Sequence, residues 1–174
     1  MSMTKERTGI PSVMILEDYY FRGSAEGWAS GATKTTIPGF PGSKVITVKM
    51  GLVLYTDVYW TCPGSEQSFG VTVMSAHDLE HAVWIPVWRM QYGGEYPERV
   101  IAFLKAALRQ TYETRRFVGG RGPTEFREGN LQYINQPDAR KNEFRDFRGE
   151  ERILEGGVQV GSHWYRGGLL IPET

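Results

Sequence analysis

Trp88-Arg89-Met90-Gln91-Tyr92-Gly93-Gly94 and His163-Trp164-Tyr165-Arg166-Gly167-Gly168 close alike, each carrying a Trp and a Tyr into a Gly-Gly pair. A Pro-Glu follows each, as Pro97-Glu98 and Pro172-Glu173, and the first of these opens the most regular amphipathic run in the chain. The pattern predicts an internal duplication, with halves at about residues 11–95 and 97–174. Two related halves packed on each other leave a cleft between them, a frequent place for a ligand.

Outward from the first segment, Val100, Ile101, Phe103, Leu104, Ala107 and Leu108 recur at helical spacing against Arg99, Lys105 and Arg109. A second helix is expected after Pro11-Ser12, on Val13 to Leu16 and Tyr19-Tyr20. Strand-like runs occupy Lys44–Trp60 (with a turn near Met50-Gly51), Phe69–Met74 and Val83–Tyr92, then Leu131–Asn135, Phe144–Leu154 and Val158–Tyr165. Pro86 demotes its run to an edge strand or marks a bulge. Arg22–Gly42 and Arg115–Gly129 read as loops. The order is helix, loop and about three strands, twice over. The expectation is an α+β fold: one domain over residues 1–174, built of two pseudo-symmetric helix-plus-three-strand halves, with helices packed on a mostly antiparallel sheet.

Basic and acidic residues balance at 20 each, which leaves no net field to hold nucleic acid or an anionic membrane. A single cysteine, Cys62, excludes an internal disulfide. Met1 to Gly9 is polar and charged, unlike a secretory signal, and no run approaches the ~18 apolar residues of a membrane span. A cytoplasmic protein without direct nucleic-acid or membrane contact is expected. The aromatic content of 13% is high and must go to core, pocket or interface.

Alternation sorts the strands into faces. In Leu52–Trp60, Leu52, Leu54, Val58 and Trp60 read as ordinary core, while Val53, Tyr55, Asp57 and Tyr59 form an aromatic face with a carboxylate among the rings. Trp84, Trp88, Met90 and Tyr92 share one face of their run; Phe147, Gly149, Glu151 and Ile153 share one face of theirs. An acid on an apolar stripe must be paired, hydrogen-bonded or protonated. For Asp57 and Glu151 two readings stay open: bonds that only hold the fold, or a polar spot in an aromatic pocket that recognises a donor or a cation. Arg121, within Gly119-Gly120-Arg121-Gly122-Pro123, either closes its loop or joins that spot.

Catalytic patterns are sparse. His77-Asp78-Leu79-Glu80-His81 has H-x-x-E-H spacing, but it interrupts two strand-like runs and no third ligand follows, so no metal is expected there. No Walker loop and no G-x-S-x-G elbow occur, nothing local activates Cys62, and no cofactor is expected.

Several pieces in order carry a family likeness: Gly42-Ser43-Lys44, Tyr55-Thr56-Asp57-Val58-Tyr59, Pro86 to Gly94, Phe103 to Leu108, Arg121-Gly122-Pro123, Phe147-Arg148-Gly149-Glu150-Glu151 and Tyr165-Arg166-Gly167-Gly168. The chain resembles a bacterial and archaeal domain family of unknown function that often lies C-terminal to Xre-type helix-turn-helix domains. Three departures stand out, the first being Trp60-Thr61-Cys62, where the family has a Gly shortly after the residue equivalent to Tyr59. Gln91 replaces a usual Asn, and the glutamate expected after a Phe-Gly pattern is absent near Phe69-Gly70 but present as Glu151. The combined expectation is a small-molecule-binding, sensor-like regulatory domain whose ligand meets Tyr55, Asp57, Tyr59, Trp88, Tyr92, Arg121, Glu151 and Tyr165. The alternatives are a protein-interaction module, as a homodimer or as partner of a separate regulator protein, and an enzyme with Asp57 or Glu151 as general base.

Overall fold

The computed structural model of the chain describes residues 10–171; the N-terminal Met1 to Gly9 and the second Pro-Glu, Pro172-Glu173, lie outside them. Helix α1 spans Val13–Glu26, followed by strands β1 (Lys44–Met50), β2 (Val53–Thr61), β3 (Gln67–Asp78) and β4 (Val83–Glu95). Helix α2 spans Ile101–Thr114, followed by β5 (Glu125–Glu128), β6 (Leu131–Glu143), β7 (Asp146–Glu155) and β8 (Val158–Leu169). The eight strands form one antiparallel sheet in the order β1-β2-β3-β4-β8-β7-β6-β5. This is the expected α+β architecture, with four strands after each helix instead of three. The strand missed in the second half is β5, a four-residue edge piece of Glu125, Phe126, Arg127 and Glu128 with no run of apolar residues to announce it.

Both helices lie on one face of the sheet. Helix α1 buries Leu16, Tyr20, Phe21, Gly23 and Ser24; α2 buries Phe103, Leu104, Ala107, Leu108, Thr111 and Tyr112. The spacing of three and four puts each set on one stripe. Tyr20 of α1 rests against Trp88, with ring centroids 5.0 Å apart, and Trp88 stacks on Phe144 and Phe147. The Arg115 guanidinium, one residue past α2, meets Asp18 of α1 at 2.7 Å. Helix α1 runs on to Glu26, so the loop expected from Arg22 begins later. No helix among the described residues is long and apolar enough to cross a membrane.

Two face assignments are corrected. On β2 the inward face is Val53, Tyr55, Asp57 and Tyr59, all buried, while Leu52 and Trp60 lie on the outer side. The helices cover the face that carries Tyr55, against whose ring α1 places Gly23 and Ser24. On β4 the register slips opposite Met74 and Ser75: Trp88 pairs with Met74 but Pro86 pairs with Ser75, leaving Val87 as an extra residue. That bulge reverses the alternation. Trp88, Met90 and Tyr92 therefore point inward, while Trp84 is half-exposed beside His77.

Gly70 of β3 lies directly opposite Tyr92. A Cβ added at Gly70 would sit 2.6 Å from the Tyr92 hydroxyl and 2.7 Å from the Val58 carbonyl oxygen, so neither ring nor backbone could stay in place. Gly70→Ala should lower stability by about 1–3 kcal/mol, the usual cost of overpacking, as read by urea denaturation. An unchanged midpoint would mean that Tyr92 does not lie across Gly70.

Candidate functional site

A cavity of about 650 Å³ lies between the helices and the β1–β4 side of the sheet. Its buried interior is lined by Tyr55, Asp57, Tyr92, Tyr112, Arg121 and His163. Lys34, Lys44, Gly64, Glu66 and Gln67 line its solvent end. A second, shallow and open depression of about 450 Å³ near Pro137 and Gly149 has none of this buried chemistry. The deeper cavity is the better ligand site because burial strengthens each polar contact made at its inner end.

The asymmetry comes from the loop between α2 and β5. Added Cβ atoms at Gly120 and Gly122 would collide with the hydroxyl ends of Tyr165 and Tyr133, so only glycines let this loop lie flat on the β6–β8 side. Phe117 of the same loop packs edge-on against Phe144 and Phe147. The loop thus fills the inner face of one side of the sheet and holds Arg121 at the seam, against Glu151, His163 and Tyr92.

Arg121 is buried and forms an ion pair through Nη2 with Oε1 of Glu151, a residue with no exposed surface. Glu151 Oε2 accepts a 2.8 Å hydrogen bond from the Tyr133 hydroxyl, and the Tyr96 hydroxyl lies 3.4 Å from Oε1. Burial alone would make the guanidinium easier to deprotonate. The Glu151 charge and hydrogen bond outweigh it and hold Arg121 charged, well above its ordinary pKa. Nη2 also donates to His163 Nδ1 at 3.2 Å. The His163 proton is therefore on Nε2, which donates to Ser68 Oγ at 3.2 Å. Burial, reinforced by the Arg121 charge, pushes the His163 pKa down to about 2, so the ring is neutral.

Arg121 also lies over the Tyr92 ring, 4.7 Å from its centroid. Tyr92 donates its hydroxyl to Asp57 Oδ1 at 2.9 Å, and Thr72 donates to the same oxygen at 3.0 Å. Oδ2 has no donor among the described residues, although Asp57 is only 4% exposed. Burial raises the Asp57 pKa, outweighing the two hydrogen bonds and the Arg121 charge, which act in the opposite direction.

Five of the eight residues singled out in the sequence line this cavity: Tyr55, Asp57, Tyr59, Tyr92 and Arg121. The other three lie elsewhere. Trp88 is wholly buried in the core and donates its indole N–H to the Phe144 carbonyl. Glu151 sits behind Arg121, and Tyr165 donates to Asn135 Oδ1 at 2.5 Å beneath the loop. His163, Ser24 and Tyr112 were missed. His163 was within reach, since it shares strand parity with Tyr165; the two helix residues carry no signal apart from helical spacing. His77 and His81 do not share a helix face. Asp78 instead organises a turn, accepting the Glu80 and His81 amides at 2.9 and 3.3 Å and meeting His81 Nδ1 at 2.9 Å.

Removing one partner of a buried ion pair leaves the other charge uncompensated, which typically costs ~3–5 kcal/mol. Glu151→Gln should therefore destabilise the protein by that order in urea denaturation, and Tyr133→Phe by about 1–3 kcal/mol. A Glu151→Gln protein as stable as the parent would show that the Arg121 charge is compensated by another group.

No curated protein and no solved structure matches the chain. A family model described as a domain of unknown function, DUF5680, matches residues 61–170, from the end of β2 to just past β8 and more than half of the sequence. The chain therefore belongs to the DUF5680 family.

Proposed function

We propose that the protein binds a small organic molecule in the cavity between its helices and β1–β4, as a sensor-like domain without catalysis. One observation carries this reading: a tyrosine-lined space of about 650 Å³, open to solvent at one end, keeps a buried carboxyl whose Oδ2 has no donor among the described residues, that of Asp57. That volume is within the range of small-molecule sites, and a few placed polar groups in an apolar wall are their usual composition. Glu151, by contrast, is engaged at both of its oxygens.

The cavity also fits a duplicated architecture, which we offer as part of the same proposal. The β4–β8 pair lies at the middle of the strand order, with three strands outward on either side. Gly94 and Gly168 hold φ of +145° and +150°. Tyr92 faces Gly70 and Tyr165 faces Gly149 across neighbouring strands. Filling of one half by the Arg121 loop and opening of the other would turn a symmetric ancestor into a one-pocket domain. A regulatory role, beside a helix-turn-helix protein in a bacterial cytoplasm, is the biological setting this proposal takes from the family resemblance.

A second reading rests on the outer sheet face. Trp60, Phe69, Gly93 and Trp164 lie side by side across β2, β3, β4 and β8, with Phe69 57% and Trp164 50% exposed. Such a row is characteristic of interaction surfaces, including homodimers. Light scattering of Phe69→Ser/Trp164→Ser against the parent tests it.

For the cavity, the neutral dye N-phenyl-1-naphthylamine should brighten on binding the parent protein. Leu104→Trp, which places a large side chain in the lining, should abolish the signal while the circular dichroism spectrum is retained. Equal dye binding by a folded Leu104→Trp protein would refute the cavity as the ligand site.

A further inference from the structure

The charges of the cavity do not cancel. Arg121 is matched by Glu151, which approaches it from β7. His163 of β8 is neutral, accepting from Arg121 at one ring nitrogen and donating to Ser68 from the other. The tyrosines facing Asp57 are Tyr55 on its own strand, Tyr92 on β4 and Tyr112 on α2, and burial raises the pKa of each. Helix α1 contributes only Ser24, whose hydroxyl lies 3.2 Å from that of Tyr55. Among the described residues, the inner wall therefore holds one acid without a counter-charge.

The cations at the solvent end do not supply one. The Lys34 and Lys44 ammonium groups lie 5.9 and 5.6 Å from the centroid of the Tyr59 ring, and Lys44 donates to Thr61 Oγ1 at 2.5 Å. Glu66 and Glu98 line the cavity as well, so the rim is balanced in formal charge. The remaining wall is aromatic and aliphatic, with Trp28, Tyr55, Met90, Ile101, Leu104 and Leu108. Tyrosine faces attract cations, most strongly where water is excluded.

We propose that the cavity is selective for an organic cation, an amine or quaternary ammonium with an apolar body, which takes Asp57 Oδ2 as its counter-ion and the apolar lining around it as its walls. This rests on the cavity being the ligand site and adds the class of ligand. Binding completes the charge balance that the free protein lacks. It also couples to pH: a ligand of fixed charge needs the ionised Asp57, whose pKa burial has raised, so affinity should climb as pH rises through that pKa. Over the same range Arg121 stays charged and His163 stays neutral.

The test is displacement of bound N-phenyl-1-naphthylamine by benzyltrimethylammonium and by neopentylbenzene, its neutral carbon isostere. The parent should prefer the cation by at least about tenfold near pH 8 and lose that preference toward about pH 4, the ordinary range of an Asp carboxyl. Asp57→Asn should keep the dye while losing both the preference and its pH dependence. Glu66→Gln/Glu98→Gln should keep both. Equal displacement by the two compounds, or a preference that survives in Asp57→Asn, would overturn the cation assignment while leaving the cavity as a site for neutral ligands. A preference lost in the rim double variant alone would overturn the role of Asp57. Failure of the dye to bind the parent would instead refute the cavity reading on which the inference stands.

Discussion

The buried ion pair between Arg121 and Glu151 governs how the inner face of the sheet is used. Taking both charges out of water is expensive, and the cost is recovered only when geometry and further hydrogen bonds satisfy the pair. Tyr133 and Tyr96 serve the carboxylate, and His163 takes a second bond from the guanidinium. To deliver Arg121 to Glu151, the chain between α2 and β5 must lie flat on the sheet, which glycines at 120 and 122 permit. That loop occupies the space over β6–β8. The corresponding space over β1–β4 has no such loop and remains a cavity.

The consequence for chemistry is a separation of two carboxyls that look alike in the sequence. Asp57 on β2 pairs with Thr72 on β3, and Glu151 on β7 pairs with Asn135 on β6. Glu151 meets a cation and two hydroxyls, which engage both of its oxygens. Among the described residues Asp57 meets two hydroxyls and no cation at hydrogen-bond range, and both donors use one oxygen. The same tyrosine links the two sites, since the ring under the Arg121 guanidinium carries the hydroxyl that holds Asp57. Tyr92 therefore fixes the distance between a compensated charge and an uncompensated one.

Alternation made much of this legible. The period of two put Tyr55, Asp57 and Tyr59 on one face of β2 and Glu151 with Phe147 and Ile153 on one face of β7, and the burial of these residues agrees. It failed for Trp84, because a bulge changes parity and Pro86 indicates that a bulge is near without giving its direction. The choice of face on β2 also could not be read, since both faces carry large apolar side chains and only the position of the helices decides between them. The partner of Glu151 is 30 residues away along the chain. Pairings of that kind depend on loop geometry, which spacing does not encode. The H-x-x-E-H string, from which no metal is expected, falls on a turn held by Asp78.

The central claim is that Asp57 is a buried acid without a counter-charge, because Glu151 already matches Arg121. Carbon-13 NMR titration of the Asp57 side-chain carboxyl in the ligand-free protein measures this directly. The account predicts a midpoint clearly above the ordinary 3.8. It also predicts that stability contributed by this carboxyl is full below that value and is lost as pH rises through the raised midpoint. A midpoint at or below 3.8 would place a cation within reach of Asp57 and contradict the account.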